Sequence, residues 1–263
     1  MEPGFLPKLF GGLGNQIFIV VSAWVASKVH NCPLYLPKQE LTKNPHSKED
    51  YTRTVIRFFG TPLDMSEEEA SKCLGYSKWS NLGFAHWSPS LLRPGQELSS
   101  YFQYYPPFAP FEDEIRATLL KGLPSIQEKP EAAFLHIRRG DYLKASHIHY
   151  IQTMEFYEKA LDVMSKRGSF ETLYIVSDDL VWAKQQVWPV SSYVRIEYVD
   201  KNEVETLALM SSCLAGAICG NSTFSWWGAF LGAYRLRNPV IVPSKWINEP
   251  IDCLFPPEWI TID

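Results

Sequence analysis

Two adjacent arginines stand in the stretch of the sequence that is richest in chemical possibilities, His136-Ile137-Arg138-Arg139-Gly140-Asp141. A guanidinium is always charged, is weakly hydrated and binds phosphate oxygens through two parallel hydrogen bonds. The stretch follows an apolar run, so we expect it at the carboxyl end of a buried strand, where open α/β sheets bind ligands. Because one carboxylate, Asp141, does not match two guanidiniums, the sequence predicts surplus positive charge that favours an anion such as pyrophosphate. The alternative is structural: Asp141 pairs with one arginine, and His136 is a core histidine.

A second candidate site is the turn Gly11-Gly12-Leu13-Gly14-Asn15-Gln16, which falls where a strand is expected to lead into a helix. Backbone N–H groups and the positive helix end would face a ligand there, which is typical of a phosphate or sugar cradle. The spacing is neither G-x-G-x-x-G nor a P-loop, because the glycines fall at offsets 0, 1 and 3 and no Lys-Ser/Thr follows. A plain tight turn is an equally good interpretation.

Two further polar clusters follow predicted strands, Ser177-Asp178-Asp179 and Asn221-Ser222-Thr223. A carboxylate in the first cluster can accept hydrogen bonds from the N–H groups of guanine or from ribose hydroxyls, or it can simply cap a helix. The second cluster places three hydrogen-bonding side chains at a helix start, where they can hold a phosphate, although an N-cap role explains one of them. Small residues in the helix that follows predict close packing on the sheet; they are Gly228, Ala229, Gly232 and Ala233.

The second half of the chain alternates between strand and helix patterns, which predicts a parallel, Rossmann-like sheet covered on both faces. The expected strands are 133–137, 172–176, 194–199, 214–219 and 239–243, the last of which closes the sheet. The expected helices are one capped by Thr153 and ended by Gly168, one that starts at Asn202 and runs to Ser212, and one capped by residues 221–223.

The first half is less regular. We expect an apolar helix over 15–29, a strand over 33–37, a strand-like segment over 101–105 and a helix over 112–122, whereas 44–87 is interpreted as short helices and loops. Prolines crowd one stretch, which predicts a boundary between domains 1–125 and 126–263; they are Pro106, Pro107, Pro110, Pro124 and Pro130.

Composition limits the functional class. The 263 residues are 46% hydrophobic and 21% charged, as in soluble globular proteins. A net charge of −4 argues against non-specific binding to nucleic acid or to anionic lipid. The five cysteines show no zinc-site spacing, and neither a signal sequence nor a membrane anchor is evident, so we expect free thiols and a cytoplasmic location.

Taken together, residues 136–141, 11–16 and 221–228 resemble the α-1,2-fucosyltransferase family, a branch of the GDP-fucose-dependent glycosyltransferases. Weaker matches at 101–103, 157–161, 177–179, 243–246 and 257–259 extend the resemblance over nearly the whole chain. It implies an α/β, GT-B-like architecture of two facing Rossmann-like domains. The N-terminal domain would be on the acceptor side, and the C-terminal domain would bind GDP-fucose.

The resemblance also implies roles for individual residues. Arg138, Asp141 and Asn15 would be catalytic, with Arg138 and Arg139 on the donor pyrophosphate and Asn15 orienting the phosphates or the fucose. The donor-binding set that it implies is His136, Arg138, Arg139, Gly12, Gly14, Asn15, Asp178, Ser222 and Thr223. Asp178 would contact guanine, and neither a metal nor another cofactor is expected.

The implied reaction moves L-fucose from GDP-β-L-fucose to the 2-hydroxyl of a terminal galactose, with inversion at C1. The base that accepts the proton of the acceptor hydroxyl is not identified: Asp141 is one candidate, and a carboxylate of the first domain is another. Two alternatives stay open. One is α-1,6 or protein O-linked fucosylation, and the other is a non-catalytic glycan-binding protein that uses Trp226 and Trp227 as sugar platforms.

Overall fold

The computed structural model of the chain describes residues 2–44, 46–80, 86–248 and 253–263. The chain divides into two compact units: unit 1 is Met1–Leu123 with Asp252–Pro256, and unit 2 is Pro124–Ile251 with Pro257–Asp263. The boundary predicted after residue 125 lies close to this division. Within the described residues, no helix is both long enough and apolar enough to cross a membrane.

In its described residues, unit 1 contains short parallel strands and three α-helices. The strands are β1 Phe5–Pro7, β2 Tyr35–Lys38, β3 Thr61–Ser66, β4 Ser77–Ser80 and β5 Gln96–Ser99. The helices are α1 Leu13–His30, α2 Glu67–Leu74 and α3 Glu112–Gly122. Strand β5 pairs with both β1 and β4, β2 pairs with β3, and a bridge between Phe5 and Leu34 brings β1 beside β2. The resulting strand order is β3-β2-β1-β5-β4.

Helix α1 forms as the sequence predicts. It is mostly apolar, and it is buried from Leu13 to Ser27 except at the half-buried Asn15, as expected of a helix inside a core. It ends where Asn31 adopts a left-handed conformation with φ 48°.

Two expectations for unit 1 are wrong, one of them in part. In the described part of 44–87, the expected short helices are present, for example α2, but the strands β3 and β4 were not expected. Strand β4 is mostly exposed, lacks an apolar pattern of its own and is held by its pairing with β5. Residues 101–105 form no strand, since Phe102 has φ 52° and interrupts the extended backbone; the strand is β5, a few residues earlier.

Unit 2 contains a six-stranded parallel sheet. Its strands are β6 Ala132–Ile137, β7 Thr172–Ser177, β8 Arg195–Val199, β9 Gly216–Ile218, β10 Val240–Pro243 and β11 Ile260–Ile262. Their spatial order is β11-β10-β9-β6-β7-β8. Counted from β6, this is the order 3-2-1-4-5-6 of dinucleotide-binding folds. The α/β class, with a Rossmann-like sheet in each of two units as in a GT-B-like protein, is confirmed.

The helices of unit 2 are α4 Met154–Ser165, α5 Leu180–Gln185, α6 Glu203–Ser212 and α7 Thr223–Leu231. Three details differ from expectation. Thr153 precedes α4 without a side-chain cap, and β10 does not close the sheet, because β11 pairs on its outer side. Helix α7 packs closely on α6: a Cβ on Gly228 would lie 2.7 Å from the Cβ of Met210, so its small residues serve helix–helix packing.

The core of unit 2 fixes where its strands end. Leu135 and Ile137 of β6 pack in one cluster with Leu173 and Ile175 of β7 and with aromatic residues of α4. The register pairs Ile137 with Ser177. The residues that follow β6 and β7 therefore leave the sheet at the same level.

Candidate active site

The candidate site lies at the carboxyl edge of the unit 2 sheet. Strand β6 has β7 on one side and β9 on the other, and the order of strands reverses between β6 and β9. Ligands of open α/β sheets bind in the crevice outside such a switch point. The loop after β6 carries both arginines, and the loop after β9 leads into α7.

Arg138 is held by two carboxylates. Its Nη2 lies 2.9 Å from the Asp141 carboxylate, and its Nη1 lies 3.2 Å from Oδ2 of Asp178. Its guanidinium carbon lies 5.5 Å from the ring centroid of Tyr142. The guanidinium is thus oriented from three sides, while about a third of the side chain stays exposed.

Arg139 has a different set of partners. Its backbone N–H donates to Oδ1 of Asp178 over 2.9 Å, and its Nε lies 3.4 Å from Oδ2 of Asp179. The guanidinium carbon sits 4.1 Å from the ring centroid of Trp182, within cation–π distance. Asp179 also caps α5 by accepting from the Trp182 N–H, which fixes carboxylate and ring together.

The predicted surplus of positive charge is wrong. Asp178 and Asp179 join Asp141, so three carboxylates face two guanidiniums. Asp141 is the one carboxylate within the stretch 136–141, whereas Asp178 and Asp179 come from the end of the neighbouring strand. An anion that binds here competes with these carboxylates for the two guanidiniums.

Asp178 contacts both arginines. A Cβ on Gly140 would lie 2.8 Å from its Oδ2, so glycine permits this close approach. Each Asp178 oxygen already faces an arginine donor, through the Arg139 N–H and the Arg138 Nη1. The guanine contact predicted for Asp178 stays a prediction.

His136 lies beneath the arginines and not among them. Its side chain is 3% exposed, and within the described residues its Nδ1 has no hydrogen-bond partner. Burial, with a smaller effect of Arg138, lowers the pKa of His136 to about 3, so the imidazole is neutral at physiological pH. A Cβ on Gly220 would lie 2.9 Å from the His136 carbonyl oxygen, which explains the glycine at the end of β9.

The loop after β9 is fixed by Asn221, whose Nδ2 donates to the carbonyls of Tyr150 and Trp246, each over 2.7 Å. Its buried Oδ1 has no hydrogen-bond partner in the described part of the chain. Ser222 caps α7 by accepting from the Phe224 N–H, which confirms the N-cap expected within this cluster, and Thr223 is the first residue of the helix. The N-terminus of α7, which carries the positive end of the helix dipole, therefore lies at the switch point.

Tyr142 links the two loops, because its hydroxyl donates to the Asn221 carbonyl over 2.9 Å. Its ring stacks on His149 with centroids 3.9 Å apart. Burial raises the pKa of Tyr142 to about 12, which keeps the hydroxyl protonated as this donor.

The predicted turn over 11–16 belongs to unit 1. Gly11 has φ +74°, and its carbonyl accepts from Gln16 Nε2 over 2.9 Å and from Asn44 Nδ2 over 3.1 Å. Gly12 is the N-cap of α1 and, like Gly14, lacks a side chain that could cap the helix end. Asn15 Oδ1 accepts from Gln103 Nε2 over 3.1 Å. The turn and the helix start are confirmed, and a ligand role for Gly12, Gly14 and Asn15 stays a prediction.

The structure therefore brings together Arg138, Arg139, Asp141 and Asp178, beside the α7 start that carries Ser222 and Thr223. Tyr142 and Trp182 also belong to the site, although neither was predicted from the sequence. A signal for both was present: Tyr142 directly follows Asp141, and Trp182 lies one helical turn after the capping residue Asp179.

A Rossmann-type sheet with arginines at its switch point is typical of proteins that bind nucleotides. The model of one family, Glycosyl transferase family 11, matches residues 102–263. The chain belongs to this family, the α-1,2-fucosyltransferase family that its motifs resemble.

Three curated relatives show how far the similarity extends. The O-antigen biosynthesis glycosyltransferase WbnK of Escherichia coli is 36% identical over 46% of this chain and 41% of its own length. The alpha-1,2-colitosyltransferase of Escherichia coli is 30% identical over 54% of this chain and 51% of its own. The galactoside 2-alpha-L-fucosyltransferase SEC1 of Bos taurus is 22% identical over 96% of this chain and 72% of its own. The matches thus span about half the length of the two bacterial relatives.

Solved structures with a related fold include POFUT1 in complex with GDP, at 13% identity and a TM-score of 0.47 over 89% of this chain and 96% of that one. NodZ alpha-1,6-fucosyltransferase co-crystallized with GDP is 11% identical, with a TM-score of 0.46 over 88% and 93% of the two chains.

Proposed function

We propose that the chain is a galactoside α-1,2-fucosyltransferase that transfers L-fucose from GDP-β-L-fucose to the 2-hydroxyl of a terminal galactose, with inversion and without a metal. The observation that carries the proposal is the pair Arg138 and Arg139 at the switch point of the sheet, beside the start of α7. Family membership supports sugar transfer, and the name of the bovine relative supports the linkage and the acceptor.

The arrangement suits a departing nucleoside diphosphate. Asp141 is half-exposed on the turn after the arginines, so a phosphate group can take its place on Nη2 of Arg138. The N–H groups at the start of α7 and the hydroxyls of Ser222 and Thr223 then face the same charge. The principal catalytic contribution is stabilisation of the charge on the leaving GDP. Side chains thus stabilise a charge that a bound metal ion stabilises in other enzymes.

Asp141 is freed from Arg138 by that exchange. Within unit 2 it is the candidate base for the proton of the acceptor hydroxyl, since an inverting displacement needs an acceptor for that proton.

A second candidate donor sugar is colitose, because one relative is an alpha-1,2-colitosyltransferase. Colitose lacks the 3-hydroxyl of L-fucose. Contacts to the pyrophosphate alone do not distinguish the two donors.

The first test is thermal unfolding with GDP, UDP and ADP in EDTA. A ligand at about 100 times its Kd adds roughly 2.7 kcal/mol to stability, which corresponds to several degrees in a chain of this size. We expect a rise with GDP alone. The absence of a rise with any nucleotide would contradict the donor site and would favour a non-catalytic, glycan-binding protein. Trp226 and Trp227 could not be its sugar platforms, because both are fully buried.

The second test offers equimolar GDP-fucose and GDP-colitose with a β-galactoside, again in EDTA. Mass spectrometry identifies the transferred sugar, and NMR of the product identifies the linkage. We expect fucose on the 2-hydroxyl. Transfer that requires an added divalent cation, or a product linked at the 6-hydroxyl or to a protein side chain, would contradict the proposal.

A further inference from the structure

Unit 1 contains a cavity of about 810 Å³ that extends from the carboxyl ends of β1 and β2 to the amino-terminal halves of β4 and β5. This volume is typical of small-molecule sites. The chain after β1 and β2, the first turn of α2, and strands β4 and β5 contribute to its lining, which includes Lys8, Phe10, Glu67, Tyr76, Lys78 and Glu97. None of these residues belongs to the arginine site of unit 2.

Glu97 is the unusual residue of this cavity. It lies on β5 between Leu6 of β1 and Lys78 of β4, and its side chain is 2% exposed. Its Oε1 has no hydrogen-bond partner among the residues that the structure describes. Lys78 Nζ, on a largely exposed side chain, lies 3.8 Å away. A buried carboxylate oxygen without a hydrogen-bond donor is costly, so a ligand hydroxyl that donates to it would lower this cost.

A second carboxylate faces the same cavity. Glu67 lies in the first turn of α2, and Lys8 Nζ is 3.6 Å from its Oε1. Burial raises the pKa of Glu67, and the negative charge of Glu97 adds to that rise, while Lys8 and Lys78 oppose it. Both carboxylates line the cavity.

The lining selects a chemical class of ligand. Its charged residues are of both signs: five lysines, Lys8, Lys38, Lys43, Lys72 and Lys78, and four glutamates, Glu40, Glu67, Glu68 and Glu97. An anion would meet the carboxylates, and a cation would meet the ammonium groups. A neutral polyhydroxylated molecule satisfies both sets, because each hydroxyl both donates and accepts hydrogen bonds. Phe10 and Tyr76 add apolar ring surface, which suits the C–H faces of a sugar.

We propose that this cavity binds the acceptor saccharide and that Glu97 Oε1 accepts a hydrogen bond from one of its hydroxyl groups. The identification of the saccharide as an acceptor rests on the proposed function. The binding of a neutral sugar here rests on the cavity alone.

The test compares Glu97→Gln with Glu114→Gln, a matched change of an exposed glutamate on α3 of the same unit. The first substitution conserves shape but removes the charged acceptor. We expect the acceptor KM of Glu97→Gln to rise about tenfold, as for the loss of a hydrogen bond to a charged group. The donor KM and the thermal shift with GDP should not change, and Glu114→Gln should behave as the wild type.

A second variant avoids the buried position. Ser71→Phe introduces a ring from α2 into the cavity, and it should also raise the acceptor KM without affecting GDP binding. Unchanged acceptor KM values in both variants would overturn the proposal even though the enzyme transfers fucose.

Saturation-transfer NMR with a β-galactoside and no donor separates this proposal from the proposed function. If the wild type transfers no fucose but binds the sugar, and Glu97→Gln loses the signal, the cavity is a sugar site and the transferase activity is wrong. A wild-type chain without turnover and without a sugar signal counts against both proposals.

Discussion

Arg138 Nη1 lies 3.2 Å from Oδ2 of Asp178, which joins the end of β6 to the end of β7. The parallel register that pairs Ile137 with Ser177 makes this contact possible. The guanidinium is thus aimed by a neighbouring strand before any ligand arrives. Such preorganisation is what makes a charged group effective at stabilising charge that develops during a reaction.

The first prediction concerns the shape of that cation. Arg138→Lys keeps the positive charge, but it removes the planar fork that reaches Asp141 and Asp178 together. We expect kcat at saturating GDP-fucose to fall about 10²-fold, and Arg138→Ala to be at least as impaired. Steady-state kinetics provide the measurement.

Arg167→Lys is the control, since Arg167 is an exposed arginine of the same unit. Near-normal turnover of Arg138→Ala would show that this arginine does not stabilise the leaving group. Thermal unfolding of each variant separates loss of turnover from loss of fold.

The second prediction concerns Gly140. In Gly140→Ala the new methyl group would lie 2.8 Å from Asp178 Oδ2, so Asp178 has to move away from the arginines. We expect GDP affinity to weaken about tenfold because the arginines lose their alignment. Isothermal titration with GDP measures the change.

Gly168→Ala is a matched control, because a Cβ there would meet no atom within 4 Å. Equal GDP affinities for the two alanine variants would mean that Asp178 does not position the arginines.

The buried elements were predictable from sequence because their patterns come from burial itself. Every residue of β6 is buried, and it appears as an unbroken apolar run apart from His136. Helix α6 was predictable for a local reason, since the Asn202 side chain accepts from the Glu205 N–H at its start.

The rest depended on which elements become neighbours. Strand β4 has no apolar pattern, and only its pairing with β5 defines it. The charge balance around Arg138 failed for the same reason: Asp178 and Asp179 reach the arginines because β7 lies beside β6. A count of charges along the sequence does not show which strands lie side by side in the sheet.

The third prediction concerns the packing of α7 on α6. In Gly228→Ala the methyl group would lie 2.7 Å from the Cβ of Met210, and neither backbone can give way easily. We expect a loss of about 1–3 kcal/mol in stability, as for other overpacked cores, measured by urea unfolding against Gly168→Ala. A variant as stable as the wild type would show that the interface between the two helices has room for the added methyl group.

The fourth prediction concerns pH and the buried imidazole of His136. Its pKa is lowered to about 3 in the folded chain by burial and by Arg138, against an ordinary value near 6.5. Between these two values the unfolded chain binds a proton that the folded chain does not, so the contribution of His136 to stability is lost as the pH falls. From pH 7 to pH 5 this loss amounts to about 2 kcal/mol.

In His136→Gln the decrease in stability over that interval should be smaller by this amount, whereas His147→Gln, which removes an exposed histidine, should follow the wild type. Urea unfolding at both pH values measures the difference, and the same pH dependence in both variants would mean that the imidazole takes up its proton without leaving the fold.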